Sequence, residues 1–252
     1  MSAPVTHIAT ADATRVIVRG RDLVNDLIGK YTFTEIFYFL ICERFPTPAQ
    51  TRLLDACLIT LMEHGFTPSA VIARLMAEST PDQIQVSIAS GLLTIGSVHA
   101  GTMEGCAALL EQGVKEADQD KWCRETVARF RERKKGVPGF GHKLHKPDDP
   151  RSAPLFRVAR ETGLDGPHVQ LLLKLSAIID ETSGKHITIN ATGALAALLL
   201  EIGISPKIVR AIAVVSRSAG LVGHILEEQK TQSSRYIINK TREGIAYVDP
   251  EE

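Results

Sequence analysis

The sequence predicts an all-α fold, and three observations along its 252 residues support that prediction. Apolar residues recur with helical periodicity in almost every segment. Glycine, proline and capping residues mark the ends of those segments. Strands and helices do not alternate as they do in proteins with a parallel sheet, and the sequence has no internal repeat. The chain is long enough to form one large domain, or a large domain and a small one.

The N-terminal region contains the one strand that the pattern predicts. Residues 1–14 show little hydrophobic pattern, and we expect them to form a loose arm. Residues 15–19 alternate like a short strand and are followed by a glycine. Beyond that point the periodicity is helical, beginning with a broad apolar face over residues 34–44.

Start and stop signals predict the helices that follow. Thr47, Pro48 and Gln50 supply an N-cap, a proline in the first turn and a capping-box partner. The helix that they begin is expected to reach His64, with Gly65 beyond its end. The other predicted helices cover residues 68–78, 82–96, 101–117, 120–133, 151–162, 167–182, 192–202 and 206–229.

Composition excludes several classes of protein. Lys and Arg together number 29, as do Asp and Glu, so no overall charge favours nucleic acid or an anionic membrane. The four cysteines lie in predicted helices without CxxC spacing, which argues against a disulfide framework or a zinc site. The N-terminus lacks the basic start and apolar core of a signal peptide. The longest apolar run, around residues 191–204, contains Glu201 and is too short to cross a bilayer. We therefore expect a soluble, cytoplasmic protein that holds no metal.

The segment Val137–Arg151 combines backbone freedom with several ionisable groups. Its glycines break a helix and let backbone N–H groups approach a ligand. A histidine next to such donors and to cations suits an anionic ligand that carries a carbonyl group. A solvated basic loop is the alternative that composition leaves open. The residues concerned are Val137, Pro138, Gly139, Phe140, Gly141, His142, Lys143, His145 and Lys146.

Two earlier histidines lie at predicted helix ends. His64 stands beside Gly65, and His99 lies in a small-residue turn between two predicted helices. Taken alone, each is more readily explained as a structural residue, such as a cap that complements the helix dipole.

Taken together and in order, these segments resemble the active-site motifs of the citrate synthase superfamily. GFGH followed by Lys146 and by Asp149-Pro150-Arg151 is similar to the family segment GxGHR…K..DPR, with Lys143 where the family usually has Arg. The stretches around His64 and His99 match the two segments that precede it. The C-terminal matches are Arg217, Gly220, His224 and Glu227 to the family pattern R..G…H..E, and Arg235-Tyr236 and residues 247–250 to the tail of citryl-CoA lyases and of the citryl-CoA lyase module of ATP-citrate lyase.

The resemblance implies a citrate synthase-like fold with two helical domains. Residues 1–100 and 204–252 would form the large domain, and residues 101–203 the small one. The implied reaction is cleavage of a 3-hydroxy-3-carboxyacyl-CoA to acetyl-CoA and a 2-oxoacid, or the reverse condensation. Coenzyme A would enter as substrate or product, with no permanently bound cofactor. A homo-oligomer is implied as well, because sites in this family borrow residues from a neighbouring subunit.

The resemblance also assigns binding roles. CoA would lie against residues 137–146, where Lys143 or Lys146 would meet its anionic groups. The carboxylates of the substrate would be bound by His64, Arg151 and Arg217, and by Arg235 from across a dimer interface.

Three residues are implied to take part in the chemistry. His99 would donate a hydrogen bond to the enol oxygen of the acyl-CoA, and His142 would exchange the proton of the substrate's carbonyl or hydroxyl oxygen. The third, Thr192, departs from the family, whose members have a proton-abstracting aspartate in an NVDG-like segment. Here the segment reads Asn-Ala-Thr-Gly, and no acidic residue occurs between Glu181 and Glu201.

The substitution of the aspartate leaves two hypotheses. A threonine hydroxyl is far too weak a base to replace a carboxylate, although it can donate a hydrogen bond or hold a water. Cleavage can begin at the hydroxyl group and tolerates the loss more readily than enolisation of acetyl-CoA does, which favours a citryl-CoA lyase-like enzyme. The alternative is a non-catalytic relative that binds a CoA ester or a carboxylate.

Overall fold

The computed structural model describes residues 3–96 and 101–250, and these are mostly helical, as the sequence predicts. The α-helices of the described residues are α1 (Phe33–Cys42), α2 (Pro48–Met62), α3 (Pro68–Ser79), α4 (Ile84–Leu92), α5 (Gly101–Gly113), α6 (Gln119–Glu132), α7 (Ser152–Thr162), α8 (Pro167–Ser183), α9 (Ala191–Glu201), α10 (Val209–Thr231) and α11 (Ser233–Gly244).

Local capping signals explain why the predicted starts of helices are close to the observed ones. The side-chain oxygen of Gln50 accepts a hydrogen bond from the backbone amide of Thr47, and the backbone amide of Gln50 donates to the Thr47 hydroxyl. The predicted capping box therefore begins α2. The predicted ends are less accurate: α2 stops at Met62, before His64, and α4 stops at Leu92, four residues short of the prediction.

Two ordered segments lack the pattern that would have predicted them. Residues 9–11 form strand β1 (Ala9–Ala11), which pairs antiparallel with β2 (Val16–Val18), and β2 pairs with β3 (Arg21–Asp22). The expectation of a loose arm is therefore wrong for β1, whose side chains are all exposed and so carry no hydrophobic signal. Helix α11 was also not predicted, because it is attached through polar side chains and buries only Ser234.

The chain divides into two compact units. Unit 1 consists of Met1–Cys57 and Cys106–Pro206, and unit 2 consists of Leu58–Gly105 and Lys207–Glu252. This division differs from the predicted domains in placing the N-terminal residues with the segment after residue 106. Tyr38 of α1 shows one reason, because its buried hydroxyl donates to the Ile202 carbonyl at 2.6 Å.

The core of unit 1 is built around α9. Its sequence, ATGALAALLLE, is apolar on all sides, and its residues are buried almost throughout against α7 and α8. Burying one leucine side chain contributes roughly 1.5–3 kcal/mol, so the fully buried Leu195, Leu198 and Leu199 make this helix a major source of stability.

The core of unit 2 is formed by α3, α4 and α10. Ala73 and Ala77 of α3 pack on Leu221 and Ile225 of α10, and side chains of α4 cover them. Gly91 of α4 permits the close approach, because a Cβ there would lie 2.7 Å from the Ser69 carbonyl oxygen.

One stretch of the described residues is long and apolar enough to cross a membrane by length and composition alone. It comprises the 26 residues Pro206–Thr231, of which α10 is the larger part. A core helix of a globular protein meets the same two criteria, and α10 packs against α3 and α4.

Candidate functional site

The predicted ligand loop of unit 1 packs directly on the start of α9. Gly139 and Gly141 have φ values of +90° and +76°, which favour glycine. A Cβ on Gly139 would lie 2.8 Å from the Cα of Gly193 and 2.7 Å from the Cys106 thiol, while a Cβ on Gly193 would collide with the Gly139 carbonyl. The glycines therefore serve a tight contact between loop and helix as well as an unusual backbone conformation.

Several backbone donors of this loop are used within the protein. Gly141 N–H donates to the Thr188 carbonyl at 2.8 Å, and Phe140 N–H donates to Val137 at 3.2 Å. The expectation that glycine frees these N–H groups for a ligand is therefore wrong at residues 140 and 141. A one-pair β-bridge between Phe140 and Ile189 accounts for it, because it aligns the loop with the strand-like residues before α9.

His142 is fixed in one tautomer. Its Nδ1 accepts hydrogen bonds from the amides of Leu144 and His145, at 3.1 and 2.9 Å. A nitrogen that accepts carries no proton, so the proton of the neutral ring lies on Nε2. Burial and the neighbouring His145, whose ring stacks on that of His142 at 4.4 Å, lower the pKa of His142 below its usual value. His142 is therefore a neutral ring with one N–H donor.

A buried carboxylate follows, at Asp149. Its Oδ1 accepts from the amide and from Nε of Arg151, and its Oδ2 accepts from Nη2 of Arg151 and from the amide of Ala191 at the start of α9. Burial opposes ionisation, but the bonds from Arg151 and Ala191 outweigh it and hold the pKa of Asp149 well below its usual range. Arg151 thus binds Asp149 with two of its nitrogens, and its Nη1 has no hydrogen-bond partner among the described residues.

Thr192 is the second residue of α9 and is half-buried. Its hydroxyl donates to the Asn190 side-chain oxygen at 2.6 Å, and the Asn190 amide group donates to the Gly141 carbonyl at 2.8 Å. The two acidic residues that precede it most closely in sequence are engaged elsewhere: Asp180 with His186, and Glu181 with Arg124. The structure therefore shows a hydrogen-bonding side chain, and no carboxylate, at this position of α9.

His142, His145 and Asp149 place potential metal-ligand atoms within 4.8 Å of one another. Both oxygens of Asp149 and the Nδ1 of His142 already accept hydrogen bonds from the protein. The arrangement is explained by the internal bonding of the loop, and we assign no metal to it.

A mostly apolar cavity of about 300 Å³ lies beside the loop in unit 1. Val137, Phe140 and Ile187 form part of its wall. Arg131 and Lys135 also line it, and sequence reasoning did not single them out. The sequence could have indicated them, because the basic run of residues 131–135 at the end of α6 lies immediately before the glycine-rich segment. Apolar walls beside cations suit a ring system that carries phosphates.

In unit 2, His64 follows α2 and is half-buried. The carboxylate of the preceding Glu63 accepts from the amides of His64 and Gly65, at 2.8 and 2.6 Å. It therefore fixes the turn that carries His64. The predicted role of His64 as a helix cap does not hold, because α2 ends two residues earlier.

Arg217 lines a cavity of about 160 Å³ in unit 2. Thr67 and Ser69 at the start of α3 line the same cavity, with their hydroxyl oxygens 2.9 Å apart. A helix N-terminus and a guanidinium both favour a negative group. The cavity therefore suits a carboxylate of a small ligand.

The guanidinium of Arg235 is already hydrogen-bonded within this chain, because its Nε donates to Glu78 of α3 at 2.7 Å. Its neighbour Ser234 also bonds Glu78, so polar contacts fold the C-terminal segment back on α3.

His99 lies outside the described residues, and its predicted role stays a prediction. Lys143 and Lys146 are exposed on the loop.

His186 links two segments of unit 1, and the sequence analysis did not identify it. His186 lies between two carboxylates: its Nδ1 is 2.6 Å from Asp180 of α8 and its Nε2 is 2.9 Å from Asp148 of the loop. Asp180 also accepts the Ile187 amide. The hydrogen bonds with Asp180 and Asp148 raise the pKa of His186, so the histidinium connects the loop to the end of α8.

Comparison with protein families matches residues 45–240 to the family described as "Citrate synthase, C-terminal domain". Among curated proteins, 2-methylcitrate synthase of Shewanella oneidensis is 29% identical over 209 residues, which are 81% of this chain and 52% of that protein. Citrate synthase 2 of Bacillus subtilis is 26% identical over 202 residues, 79% of this chain and 52% of that protein. The chain thus spans about half the length of these curated relatives.

Solved structures that share the fold include two lyases. Citryl-CoA lyase from Hydrogenobacter thermophilus has a TM-score of 0.84 at 30% identity, covering 91% of this chain and 88% of that chain. ATP citrate lyase from Methanothrix soehngenii, solved in complex with citrate and coenzyme A, has a TM-score of 0.81 at 21% identity, covering 99% of this chain and 42% of that chain. The predicted citrate synthase-like, all-α fold is confirmed.

The His186 linkage predicts a pH-dependent stability. Only the imidazolium can donate to both carboxylates, so its stabilising effect is full below the ordinary histidine pKa of about 6.5 and is lost as the pH rises through the raised pKa. Because exposed ion pairs contribute about 0.2–1 kcal/mol each, His186→Ala should lower the melting temperature by about 2 °C at pH 6 and by much less at pH 9. Calorimetric scans of both proteins across this range measure the difference. His7→Ala, at an exposed histidine of the N-terminal arm, is the control, and equal profiles for wild type and His186→Ala would contradict the linkage.

Proposed function

The chain belongs to the citrate synthase family, a family of enzymes, and from this membership we propose that it is a citryl-CoA lyase-like enzyme. It would cleave a 3-hydroxy-3-carboxyacyl-CoA to acetyl-CoA and a 2-oxoacid, or run the reverse condensation. The likeness to citryl-CoA lyase is the observation that carries the proposal, because it extends over 88% of that chain at a TM-score of 0.84. Each unit has a cavity with a positively charged wall, lined by Arg131 and Lys135 in unit 1 and by Arg217 in unit 2, and each suits an anionic part of such a substrate.

In this proposal CoA binds in unit 1. The cavity of about 300 Å³ beside the loop would take the nucleotide ring, with Arg131 and Lys135 near its phosphates. Lys143 and Lys146 add exposed positive charge on the same loop. CoA is substrate or product here, and the proposal includes no permanently bound cofactor.

His142 would act at the oxygen that gains negative charge. Its Nε2–H can donate to the 2-oxoacid carbonyl during condensation and to the alkoxide oxygen during cleavage. The two backbone amides at Nδ1 would stabilise the ring as its Nε2 proton moves toward that oxygen. Cleavage runs this step in reverse: Nε2 first releases its proton to water, and the resulting anionic ring, stabilised by the two amides, accepts the hydroxyl proton. Water then returns one proton to the enolate, so the ring ends neutral as it began.

The carboxylate-binding roles follow the family motifs. Arg217 and His64 would bind carboxylates in unit 2, where Arg217 lines the small cavity at the start of α3. Arg151 would offer the part of its guanidinium that Asp149 does not hold. His99 keeps its proposed role at the enol oxygen.

A non-catalytic relative that binds CoA esters or carboxylates is the second candidate, and Thr192 is the observation that favours it. The Thr192 hydroxyl donates to Asn190, so it neither removes a proton nor carries charge. Loss of a general base typically costs about 10²- to 10⁴-fold in rate. In the lyase proposal this loss falls on the protonation of the enolate, which water can perform.

The proposed function is tested by incubating the protein with citryl-CoA and related 3-hydroxy-3-carboxyacyl-CoA thioesters. Mass spectrometry should show release of acetyl-CoA, and His142→Ala should reduce the rate by about 10²-fold or more. If the unaltered protein binds the thioesters but releases acetyl-CoA from none of them, the binding relative is the correct reading.

A second experiment restores the carboxylate. Thr192→Asp should raise the rate at which solvent deuterium enters the methyl group of acetyl-CoA by about 10²-fold, because enolisation is the step that lacks a base. Thr192→Asn is the matched control, equal in size but unable to accept the proton. Uptake at the uncatalysed rate in Thr192→Asp, with the carboxylate correctly placed in a crystal structure, would show that the site has been reshaped for other chemistry.

We also propose that the protein is a cytoplasmic homo-oligomer. Exposed apolar side chains on the C-terminal segment, including Tyr236, Tyr247 and Val248, support association. In such an oligomer Arg235 would bind a substrate carboxylate across the subunit interface, as the resemblance implies. Light scattering at micromolar concentration should give at least a dimer. A monomer would refute this assembly and would leave Arg235 paired with Glu78 of its own chain.

A further inference from the structure

The two oxygens of Glu63 face different partners. Oε1 accepts three hydrogen bonds, from the amides of His64 and Gly65 and from Nε2 of His224 at 2.9 Å. Oε2 lies 3.7 Å from Nη1 of Arg217. The three bonds to Oε1 lower the pKa of Glu63 although burial opposes this, so the group is a carboxylate at neutral pH. The three bonds to Oε1 fix the position of the Glu63 carboxylate, and Oε2 is the oxygen that faces Arg217.

A buried arginine fixes the donor at Oε1. Arg74 of α3, 1% exposed, donates Nε to Nδ1 of His224 at 2.9 Å. Because an arginine nitrogen can only donate, His224 Nδ1 is an acceptor and its proton lies on Nε2, toward Glu63. Arg74 is in turn bound by Glu227 and by the buried Glu228. The direction of every bond from Arg74 through His224 to Glu63 is therefore determined.

The spacing of the C-terminal motif explains how these groups meet. Arg217, Gly220, His224 and Glu227 are separated by 3, 4 and 3 residues, so they lie on one face of α10. Gly220 permits the approach, because a Cβ there would collide with the Met62 carbonyl and lie 3.0 Å from Glu63 Oε2. The same helix face thus carries Arg217 and the histidine that positions the carboxylate beside it.

We propose that Glu63 is a positioning residue that orients Arg217 toward the carboxylate of the 2-oxoacid, and that His224 acts through Glu63. The inference rests on the proposed function, which assigns Arg217 to that carboxylate. Arg217 has a long side chain with many rotamers, and the cavity that it lines is small, so a fixed guanidinium binds better than a mobile one. The His64 turn is set by the same carboxylate, so two of the predicted carboxylate-binding side chains of unit 2, Arg217 and His64, depend on Glu63.

Glu63→Gln is the decisive variant, since it is isosteric and alters the two sides differently. The amide oxygen can keep the three donors at the Oε1 position, while an NH2 group replaces Oε2 and faces the guanidinium donor to donor. If Glu63 orients Arg217 through their 3.7 Å ion pair, the dissociation constant of oxaloacetate, measured by calorimetry, should rise about tenfold or more. That is the loss expected when a misplaced guanidinium no longer makes one charge-assisted hydrogen bond to the ligand. If Glu63 only contributes negative charge, its removal should instead strengthen binding of the anion.

Two further measurements separate positioning from general damage. The dissociation constant of CoA and the melting temperature should stay within twofold and about 2 °C of wild type, because unit 1 and the Oε1 bonds are unchanged. Glu125→Gln, the same substitution at an exposed pair on α6, should alter neither ligand's affinity. His224→Phe should also raise the dissociation constant of oxaloacetate. Combined with Glu63→Gln it should add little further loss of affinity, because His224 acts on Arg217 only through its hydrogen bond to Glu63.

The outcomes distinguish the two claims. Absence of binding of any 2-oxoacid by the unaltered protein would overturn the proposed function and this inference together. Binding by wild type with equal or tighter affinity in Glu63→Gln would overturn the positioning role and leave the proposed function standing. Additive effects of His224→Phe and Glu63→Gln would refute the part assigned to His224.

Discussion

The buried carboxylate of Asp149 is the interaction on which the candidate site of unit 1 depends. Four hydrogen bonds converge on its two oxygens, three from Arg151 and one from Ala191, and its own amide donates to the Thr188 hydroxyl. Removing one partner of a buried ion pair costs about 3–5 kcal/mol, toward the lower end here because Arg151 is 24% exposed. Without this carboxylate, the ligand loop, Arg151 and the start of α9 would lose their common point of attachment.

In both units a histidine of the candidate site accepts hydrogen bonds at Nδ1 from the protein itself. In unit 1, backbone amides donate to His142 Nδ1, and in unit 2, Arg74 donates to His224 Nδ1. Each ring is thereby restricted to a single N–H, at Nε2. A carboxylate beside each functional arginine, Asp149 for Arg151 and Glu63 for Arg217, completes the parallel. Hydrogen bonds hold Arg151 on its carboxylate, whereas Arg217 faces its carboxylate at 3.7 Å.

The sequence predicted what local patterns determine. Helical periodicity and the capping box located α2, and motif order identified the family. Strand β1 and helix α11 escaped because neither buries an apolar face. The site residues could be named from motifs, but their bonding could not, because it depends on contacts between distant segments. His224 meets Glu63 across 161 positions of the chain, and no local pattern contains that pairing.

Gly193 and Gly139 could not be assigned their purpose from sequence for the same reason. Glycine indicated flexibility, whereas the structure shows two segments in direct backbone contact. The spacing of Arg217, Gly220, His224 and Glu227, by contrast, could have been interpreted as one helix face without coordinates. Charge and helical phase are therefore accessible from sequence, and hydrogen-bond direction is not.

The close contact at Gly139 places the Cys106 thiol directly behind the loop that we propose binds CoA. A thiolate there could take over the acyl group by exchange with CoA, leaving the protein acylated on its own side chain. Burial raises the pKa of Cys106 to about 12, and Cys57 is raised as far. At neutral pH both residues are therefore thiols, and a thiol is not the nucleophile. The packing that brings loop and helix together thus also protects a sulfur substrate from the protein's own sulfur.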